Sequence, residues 1–313
     1  MNRRVFGVDI GGTTVKIGVF DVTGKVLDKW EIPTRKENNG GFILSDIATS
    51  ITKAIDEKEI QREDIIGVGV GCPGMVDKRG TVFAAVNLKW DNVNIPEILG
   101  HMLGGIYVKA GNDANVAAYG EMWRGAGRGY KNLVAVTLGT GVGGGIIVDG
   151  KILRGARGAG GEIGHIHVDS NETVPCACGS IGCLEQYASA TGIAKLAKGI
   201  LESSDKPSVL RNFEKVTAKE VFDAVKENDE VAIEIAKKFG DYLGKGLSII
   251  ASVVNPEVFV VGGGVSKAGE VIFDFVRPVL ERYINDTNRG IELRLASLGN
   301  DAGIYGAAGL FLA

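Results

Sequence analysis

Three of the four cysteines fall in one stretch, residues 161–185, which reads GEIGHIHVDSNETVPCACGSIGCLE. They are Cys176, Cys178 and Cys183, and two of the three histidines lie just upstream of them. Three thiolates and one imidazole form a closed tetrahedral ligand set for zinc. The alternative is a disulfide or a set of inert core thiols, but a Cys-x-Cys pair spans too few residues to bridge easily. The stretch therefore predicts a structural zinc site.

The two histidines, His165 and His167, compete for the fourth ligand position. They alternate along a short extended segment, so their side chains face opposite ways, and spacing alone leaves the choice open. Two glutamates flank the cluster, with Glu162 before it and Glu185 after it. A structural metal would fix both carboxylates in place, where they are good acceptors for sugar hydroxyls. Two solvated glutamates are the alternative.

The acidic and metal-binding residues share one pattern, Glu162-x-x-His165 followed by Cys176-x-Cys178-Gly179-x-x-Gly182-Cys183-x-Glu185. This pattern resembles the signature of the ROK family, the repressor, open-reading-frame and kinase group of sugar kinases. The resemblance covers essentially the whole chain and implies that His165, not His167, is the zinc ligand. It also implies that Glu162, His165 and Glu185 bind the sugar. The gap from His165 to Cys176 looks slightly longer than is usual in the family.

The bulk composition limits the kind of protein this is. The chain has 313 residues, 45% of them hydrophobic and 23% charged, with a formal net charge of −3. That charge gives no basic surface for nucleic acid or anionic membranes. No apolar run approaches the ~20 residues that span a bilayer. We expect the N-terminus to enter a strand almost at once, with no room for a signal peptide. Cysteines gathered at a metal motif fit a reducing compartment, so we expect a soluble cytoplasmic enzyme.

A first phosphate-binding turn is predicted near the N-terminus. An apolar, β-branched run ends at Asp9 and is followed by a tight turn and a second alternating strand. The turn residues are Gly11, Gly12, Thr13 and Thr14. Glycines let backbone N–H groups approach an anion, and threonines add donors. Asp9 is placed to hold Mg²⁺ through water. Most such hairpins bind nothing, so this motif is weak when it stands alone.

A second turn of the same kind follows the strand near Leu138. It reads Gly139-Thr140-Gly141-Val142-Gly143-Gly144-Gly145. Two strand–turn–strand units in one chain indicate a duplicated protein that holds phosphates from two sides. This arrangement resembles the actin, Hsp70 and hexokinase superfamily, which implies a two-domain α/β fold of the actin-like ATPase (ribonuclease H-like) class with ATP as cofactor. The resemblance also places the adenosine against the glycine turn that contains Gly263 and Gly264.

A third motif, Gly111-Asn112-Asp113-Ala114-Asn115, opens a helix. Its simple explanation is a helix N-cap, since Asn and Asp cap well. The ROK resemblance implies instead that Asp113 is the catalytic base toward the sugar hydroxyl and that Asn112 binds the sugar. A forced turn ending at Gly74 and the polar segment around Asn87 are further candidates for the sugar site. The adjacent Trp90 would either wall that site or simply pack.

These observations predict an ATP-dependent hexose kinase acting on O6 of glucose. Fructose, mannose, allose, N-acetylglucosamine and N-acetylmannosamine are alternative substrates, and a sugar-sensing regulator or non-catalytic sensor is the alternative class. We expect a smaller domain of residues 1–117 plus a C-terminal helix of residues 300–313, and a larger one of residues 118–299. The family resemblance further implies a homodimer or homotetramer, with domain closure on the sugar.

Overall fold

A computed structural model describes residues 3–313. Its strands, in chain order, are β1 (Arg4–Ile10), β2 (Thr14–Asp21), β3 (Val26–Pro33), β4 (Ile65–Cys72), β5 (Met75–Val76), β6 (Thr81–Ala85), β7 (Trp90–Asn94), β8 (Val108–Asn112), β9 (Leu133–Leu138), β10 (Val142–Val148), β11 (Lys151–Ile152), β12 (Val258–Gly262) and β13 (Glu292–Leu295). Its helices are α1 (Glu37–Gly40), α2 (Ile43–Glu57), α3 (Ile95–Met102), α4 (Asp113–Arg124), α5 (Glu185–Ala188), α6 (Ala190–Ser203), α7 (Ala218–Lys226), α8 (Glu230–Val254), α9 (Val271–Tyr283) and α10 (Ala302–Leu312).

The chain folds into two compact units, each built from separate segments. Unit 1 comprises residues Met1–Lys131, Gly145–Gly161 and Leu298–Ala313, and unit 2 comprises Asn132–Gly144 and Glu162–Ser297. The boundary expected after residue 117 falls inside α4, which the structure keeps whole within unit 1. The reason is physical, because α4 packs along its length on α10 and cannot be divided without exposing that contact.

Unit 1 is organised on a five-stranded sheet with the order β3-β2-β1-β4-β8. Strands β1, β4 and β8 are parallel, whereas β2 and β3 are added antiparallel. Side chains alternate across the faces of β1 as a period of two requires. Phe6 and Val8 join the core beneath α2, and Val5 packs with Ile304 of α10 on the other face. The sheet is therefore covered by helices on both faces.

The C-terminal helix α10 lies unusually close to the backbone of its neighbours. A Cβ on Gly69 of β4 would lie 1.8 Å from the carbonyl oxygen of Ala307. A Cβ on Gly306 would lie 1.7 Å from the carbonyl oxygen of Val116 in α4. Only glycine fits at both positions. The sequence-based expectation that this small-residue helix packs on the first part of the chain is confirmed.

The second five-stranded sheet has the order β11-β10-β9-β12-β13. Counted within each sheet, both follow the same sequence of third, second, first, fourth and fifth strand, so the predicted duplication is present. In unit 2 the long helix α8 packs on α9, with Phe239 and Leu243 fully buried. A small antiparallel sheet of β5, β6 and β7 completes the strands of the described residues. Among those residues no helix is long and apolar enough to cross a membrane.

Candidate active site

Parallel pairing in unit 1 brings the predicted catalytic residues to one edge of the sheet. Asp9 of β1 pairs with Gly71 of β4, and Gly71 pairs with Gly111 of β8. Because parallel strands end at the same edge, Asp9 lies in the same row as the start of the Asn112-Asp113 motif. This edge is where ligands of open α/β sheets bind. The candidate site is therefore centred on two carboxylates, Asp9 and Asp113.

Both carboxylates are largely buried, and burial disfavours their charged forms. The pKa of Asp9 is raised to about 6, mainly by desolvation and further by the charge of Asp113, while Lys16 lowers it. The pKa of Asp113 is also raised by desolvation, although hydrogen bonds from the Ala114 N–H and from Asn112 oppose the rise. The carboxylate of Asp9 accepts no hydrogen bond from any residue in the described part of the chain. Perturbed carboxylates at a strand edge are typical of catalytic sites.

Asn112 is the N-cap of α4. Its side-chain oxygen accepts a hydrogen bond from the Asn115 N–H at 3.1 Å, and its amide donates to the Gly74 carbonyl at 3.1 Å. The capping explanation therefore holds for Asn112, whereas Asp113 is the first helical residue and not the cap. The same contact places the predicted Gly74 turn beside the Asp113 motif. Asn87 is exposed in a short turn after β6 and makes no hydrogen bond to another described residue.

The first glycine-threonine turn of unit 1 presents unsatisfied donors. The Gly11 N–H donates to the Thr14 carbonyl at 2.9 Å, which closes the turn. Within the described chain, the N–H groups of Gly12 and Thr13 and the hydroxyls of Thr13 and Thr14 have no hydrogen-bond partner. Lys36 is the cation that the sequence motifs missed, since a Cβ on Gly12 would lie 3.8 Å from its Nζ. Pairing of the Thr34 N–H with the Thr13 carbonyl at 2.9 Å brings Lys36 there.

The second glycine-threonine turn belongs to unit 2 and is tied to Glu185. The Val142 N–H donates to Oε2 of Glu185 at 2.9 Å. A Cβ on Gly141 would lie 2.2 Å from that oxygen, so a side chain there would displace the Glu185 carboxylate from the turn. Gly262 of β12 pairs with Thr137 of β9, so the predicted Gly263-Gly264 turn emerges beside this turn. The turn predicted to bind phosphate and the turn predicted to contact adenosine are thus adjacent within unit 2.

The cysteine-rich stretch brings four ligand atoms together. One atom each from His165, Cys176, Cys178 and Cys183 lies within 4.8 Å of the other three. The sulfurs of Cys178 and Cys183 are 3.7 Å apart, and Nδ1 of His165 is 3.9 Å from the Cys176 sulfur. With zinc–sulfur bonds of ~2.3 Å, the edge of a tetrahedron is about 3.8 Å. All four cysteines of the chain are free thiols, so the disulfide alternative is wrong.

His167 faces away from this cluster. Its two ring nitrogens lie 2.9 Å from the Ile181 carbonyl and 3.1 Å from the Ser170 hydroxyl. Both nitrogens are therefore engaged in holding the loop, and His165 alone completes the four-atom set. Nε2 of His165 points instead toward a carboxylate oxygen of Glu162, 4.0 Å away. Glu185 also reaches the cluster, with its Oε1 3.8 Å from the Cys176 sulfur.

Two acidic residues in the gap between His165 and Cys176 anchor that segment. Glu172 accepts hydrogen bonds from the Tyr187 hydroxyl at 2.9 Å and from Lys195 at 2.8 Å. Asp169 accepts one from the Tyr242 hydroxyl at 2.8 Å, and the rings of Tyr187 and Tyr242 are stacked 3.9 Å apart. Sequence motifs gave no sign of these contacts, because the partners lie on helices far along the chain.

Cys72 and Trp90 are structural residues. Cys72 is fully buried, and burial raises the pKa of its thiol. Trp90 is only 6% exposed and donates its indole N–H to the Gly40 carbonyl at 3.1 Å. The packing alternative therefore holds for Trp90.

Comparison with known proteins places this arrangement in a family. The model of the ROK family matches residues 5–313. The chain is 42% identical over 99% of its length to the glucokinase of Halalkalibacterium halodurans, covering 95% of that protein. It is 37% identical over 98% of its length to the glucokinase of Thermotoga maritima, covering 96% of that protein.

A solved structure supports the same assignment. The ROK family glucokinase from Streptomyces griseus, in complex with glucose and AMPPNP, superposes with a TM-score of 0.76 at 34% identity. The match covers 98% of this chain and 99% of that one. Together with the repeated sheet order, this likeness confirms the expected actin-like ATPase fold class. Since the family model matches nearly the full sequence, the chain belongs to the ROK family.

Proposed function

We propose that this chain is an ATP-dependent glucokinase, which transfers the γ-phosphoryl group of ATP to O6 of glucose. The observation that carries the proposal is the buried carboxylate of Asp113 at the end of β8, with its raised pKa and its neighbour Asp9. The relatives support the substrate, since those at 42% and 37% identity are glucokinases and the similar solved structure contains glucose and an ATP analogue.

Asp113 acts as the general base in this proposal. A carboxylate whose pKa is raised toward neutrality accepts the proton of a sugar hydroxyl more readily than an ordinary one. Asn112 fixes the start of α4 and the Gly74 turn through its two hydrogen bonds. The amide nitrogen of Asn112 carries two donors, and we propose that it turns one of them to the sugar in place of its contact with Asp113. Asn87 is assigned to the sugar site only by its place in the sequence.

The first turn of unit 1 would hold phosphate oxygens. Its unsatisfied N–H groups at Gly12 and Thr13 and its threonine hydroxyls are donors, and the ammonium of Lys36 adds a positive charge. Asp9 would hold Mg²⁺, because a carboxylate oxygen suits this hard cation, often through water. When bound, the ion would neutralise charge on the transferred phosphoryl group. In unit 2, the turn residues Gly139 to Gly144 and the Gly263-Gly264 turn are proposed to hold the rest of the nucleotide.

The four-atom cluster of unit 2 is proposed to bind zinc. Its donor set of three thiolates and one imidazole, at tetrahedral spacing, fits zinc in a closed structural site. The ion would fix the loop that carries His165 and lies beside Glu185. Nε2 of His165, Glu162 and Glu185 would then meet ring hydroxyls of the sugar. Glu185 would do so while also bonded to the second turn through the Val142 N–H.

Sugar-dependent ADP release from Mg-ATP tests the proposal. We expect turnover with glucose to exceed turnover with fructose, mannose, allose, N-acetylglucosamine and N-acetylmannosamine, with glucose 6-phosphate as the product. Higher turnover with another sugar would change the proposed substrate but leave the proposed phosphoryl transfer in place. Sugar binding without turnover on any of these sugars would overturn the kinase assignment and favour a sensor.

We further propose a cytoplasmic location and a homodimer or homotetramer. The location rests on four free thiols, which fit a reducing compartment. The assembly state rests on the family alone. Light scattering on the purified protein would measure its mass directly, and a monomeric mass would contradict this part of the proposal.

A further inference from the structure

Unit 1 contains a cavity of about 580 Å³ whose charged lining residues are all basic. We call it the basic cavity and define it by Lys78, Arg79, Lys109, Lys151, Arg154 and Tyr119. The lining comes from the β5–β6 turn, β8, α4 and the segment that starts at β11. The chain as a whole has more acidic than basic residues, with 38 against 35. An all-basic lining is therefore not explained by the overall composition.

Three of these cations have no ion-pair partner. In the described chain, the side chains of Lys78, Lys151 and Arg154 form no hydrogen bond or ion pair with another residue. Arg154 is only partly exposed, and no acidic side chain lines the cavity beside it. The other two cations are occupied. Arg79 pairs with Asp77 at 3.6 Å, and Lys109 donates to the Leu310 carbonyl at 2.6 Å.

Tyr119 adds a neutral donor to the same lining. Its hydroxyl makes no hydrogen bond to another described residue. Burial raises the pKa of Tyr119, and the positive charge of Arg154, which lines the same cavity, opposes that rise. A partly buried phenol that stays protonated is a hydrogen-bond donor in need of an acceptor. Arg154 and Tyr119 thus offer adjacent donors to one ligand.

We propose that the basic cavity binds a phosphate-bearing anion. Arginine and lysine donors together with a tyrosine hydroxyl match phosphate oxygens, which accept several charge-assisted hydrogen bonds at once. The volume lies within the ~300–1,000 Å³ range of small-molecule sites, so a phosphate ester fits as well as the free ion. The cavity is distinct from the Asp113 site, since it is lined from the middle of α4 and the start of β8 rather than from the Asn112-Asp113 junction.

Equilibrium dialysis with radiolabelled inorganic phosphate tests this site. Saturating glucose and AMPPNP would be present, so that the substrate and nucleotide sites are filled. We expect about one phosphate per chain, and at least tenfold weaker binding in Lys151→Gln/Arg154→Gln, because two charge-assisted hydrogen bonds are lost. Tyr119→Phe, which removes only one hydroxyl, should weaken binding several-fold.

The matched control is Lys226→Gln/Lys237→Gln, which makes the same change in charge at two exposed lysines of unit 2. It should bind phosphate as the unaltered chain does. If both double variants lost phosphate binding equally, the loss would be due to the change in net charge alone, and the proposal would be overturned. So would unaltered binding in Lys151→Gln/Arg154→Gln, or no saturable binding up to ~10 mM phosphate.

Competition then identifies the source of the phosphate group. Unlabelled glucose 6-phosphate, AMP and inorganic phosphate would be compared as displacing ligands. Stronger displacement by glucose 6-phosphate or AMP supports the site as one for a phosphate ester, and displacement only by inorganic phosphate supports it as one for the free ion. If the chain phosphorylated no sugar at all, the variant series would still decide whether the cavity binds phosphate.

Discussion

Two pairs of carboxylates, one in each unit, have opposite environments. Asp9 and Asp113 of unit 1 are buried with few donors, and burial raises the pKa of both. Asp169 and Glu172 of unit 2 accept several hydrogen bonds, which lower the pKa of both; that of Glu172 falls to about 2, mainly through Lys195. The environment of Asp9 and Asp113 disfavours their charged forms, whereas the environment of Asp169 and Glu172 favours theirs.

The difference separates chemistry from architecture. A carboxylate surrounded by donors stabilises the fold and has little tendency to take up a proton near neutral pH. A carboxylate buried with too few donors destabilises the fold when it ionises, and is retained where its basicity or its charge is used. We therefore assign the carboxylates of unit 1 to the proposed reaction, whereas Asp169 and Glu172 hold the loop that carries His165 and the three cysteines.

The largest expected effect is on turnover. Asp113→Asn keeps the size of the side chain and removes the base, so kcat should fall by roughly 10²–10⁴. Nucleotide binding, measured by calorimetry, should be unchanged. The control Asp223→Asn makes the same substitution at an exposed carboxylate on α7 and should retain full activity. Near-normal turnover of Asp113→Asn would contradict the role in the reaction proposed for Asp9 and Asp113.

Metal binding by the proposed zinc site should depend on each of its sulfurs. Cys178→Ser should lose the bound metal, and the free energy of unfolding should drop by several kcal/mol, because metal binding is coupled to folding of the loop. Metal analysis of protein purified without chelator should give about one zinc per chain before the change. Cys72→Ser, at the cysteine outside the cluster, should keep its metal. A folded, active and metal-free preparation would contradict the zinc assignment.

The raised pKa of Asp9 predicts how stability depends on pH in metal-free protein. Between about pH 4 and 6 the unfolded chain has lost the proton that folded Asp9 still holds. Raising the pH through this window therefore favours unfolding, by about 3 kcal/mol in total for two pKa units. Asp9→Asn should abolish this loss, so its stability relative to the unaltered chain should rise from pH 4 to 6.

Urea denaturation at several pH values would measure that difference, with Asp205→Asn at an exposed loop position as the control. Parallel stability curves for Asp9→Asn and the unaltered chain would contradict the assigned environment of Asp9. Added Mg²⁺ should restore part of the lost stability in the unaltered chain only, if Asp9 holds the ion.

The smallest expected effect lies in the loop of unit 2. Glu172→Gln keeps the shape but weakens the bonds to Tyr187 and Lys195, so it should cost about 1–2 kcal/mol near neutral pH. Glu172 has a lowered pKa, so its contribution is present above the ordinary glutamate range and disappears as the pH falls toward 2. The two proteins should therefore converge in stability in acid. A constant difference across that range would show that packing, not charge, is lost.

Local motifs carried most of what the sequence could predict. The two glycine-threonine turns, the cysteine spacing and the Asn112-Asp113 motif are each contained in a few residues. The fold class was implied by the resemblance of the paired turns to the actin, Hsp70 and hexokinase superfamily. The choice of His165 over His167 needed the structure, because it depends on where the Ile181 carbonyl and the Ser170 hydroxyl lie. A sequence pattern of alternating side chains cannot report the partners of either ring.

The spacing of residues within motifs could not predict contacts between distant segments of the chain. Glu185 binds the Val142 N–H 43 residues away, and Lys36 reaches the first turn only through pairing of Thr34 with Thr13. The limits of the units were equally hidden, because the chain passes between them at four places where composition does not change. A prediction from composition shifts finds linkers, and these crossings are continuous with ordered structure.

The close packing of α10 has a consequence for the order in which the protein is made. The helix fills one face of the sheet in unit 1, yet its residues follow all of unit 2 in the chain. At ~5–20 residues per second, a ribosome adds residues 132–297 in roughly ten to thirty seconds. Throughout that interval the backbone at Gly69 and its neighbours lacks the helix that covers it. Unit 1, though begun first, is completed last, and its open sheet face is the surface that a chaperone would meet during synthesis.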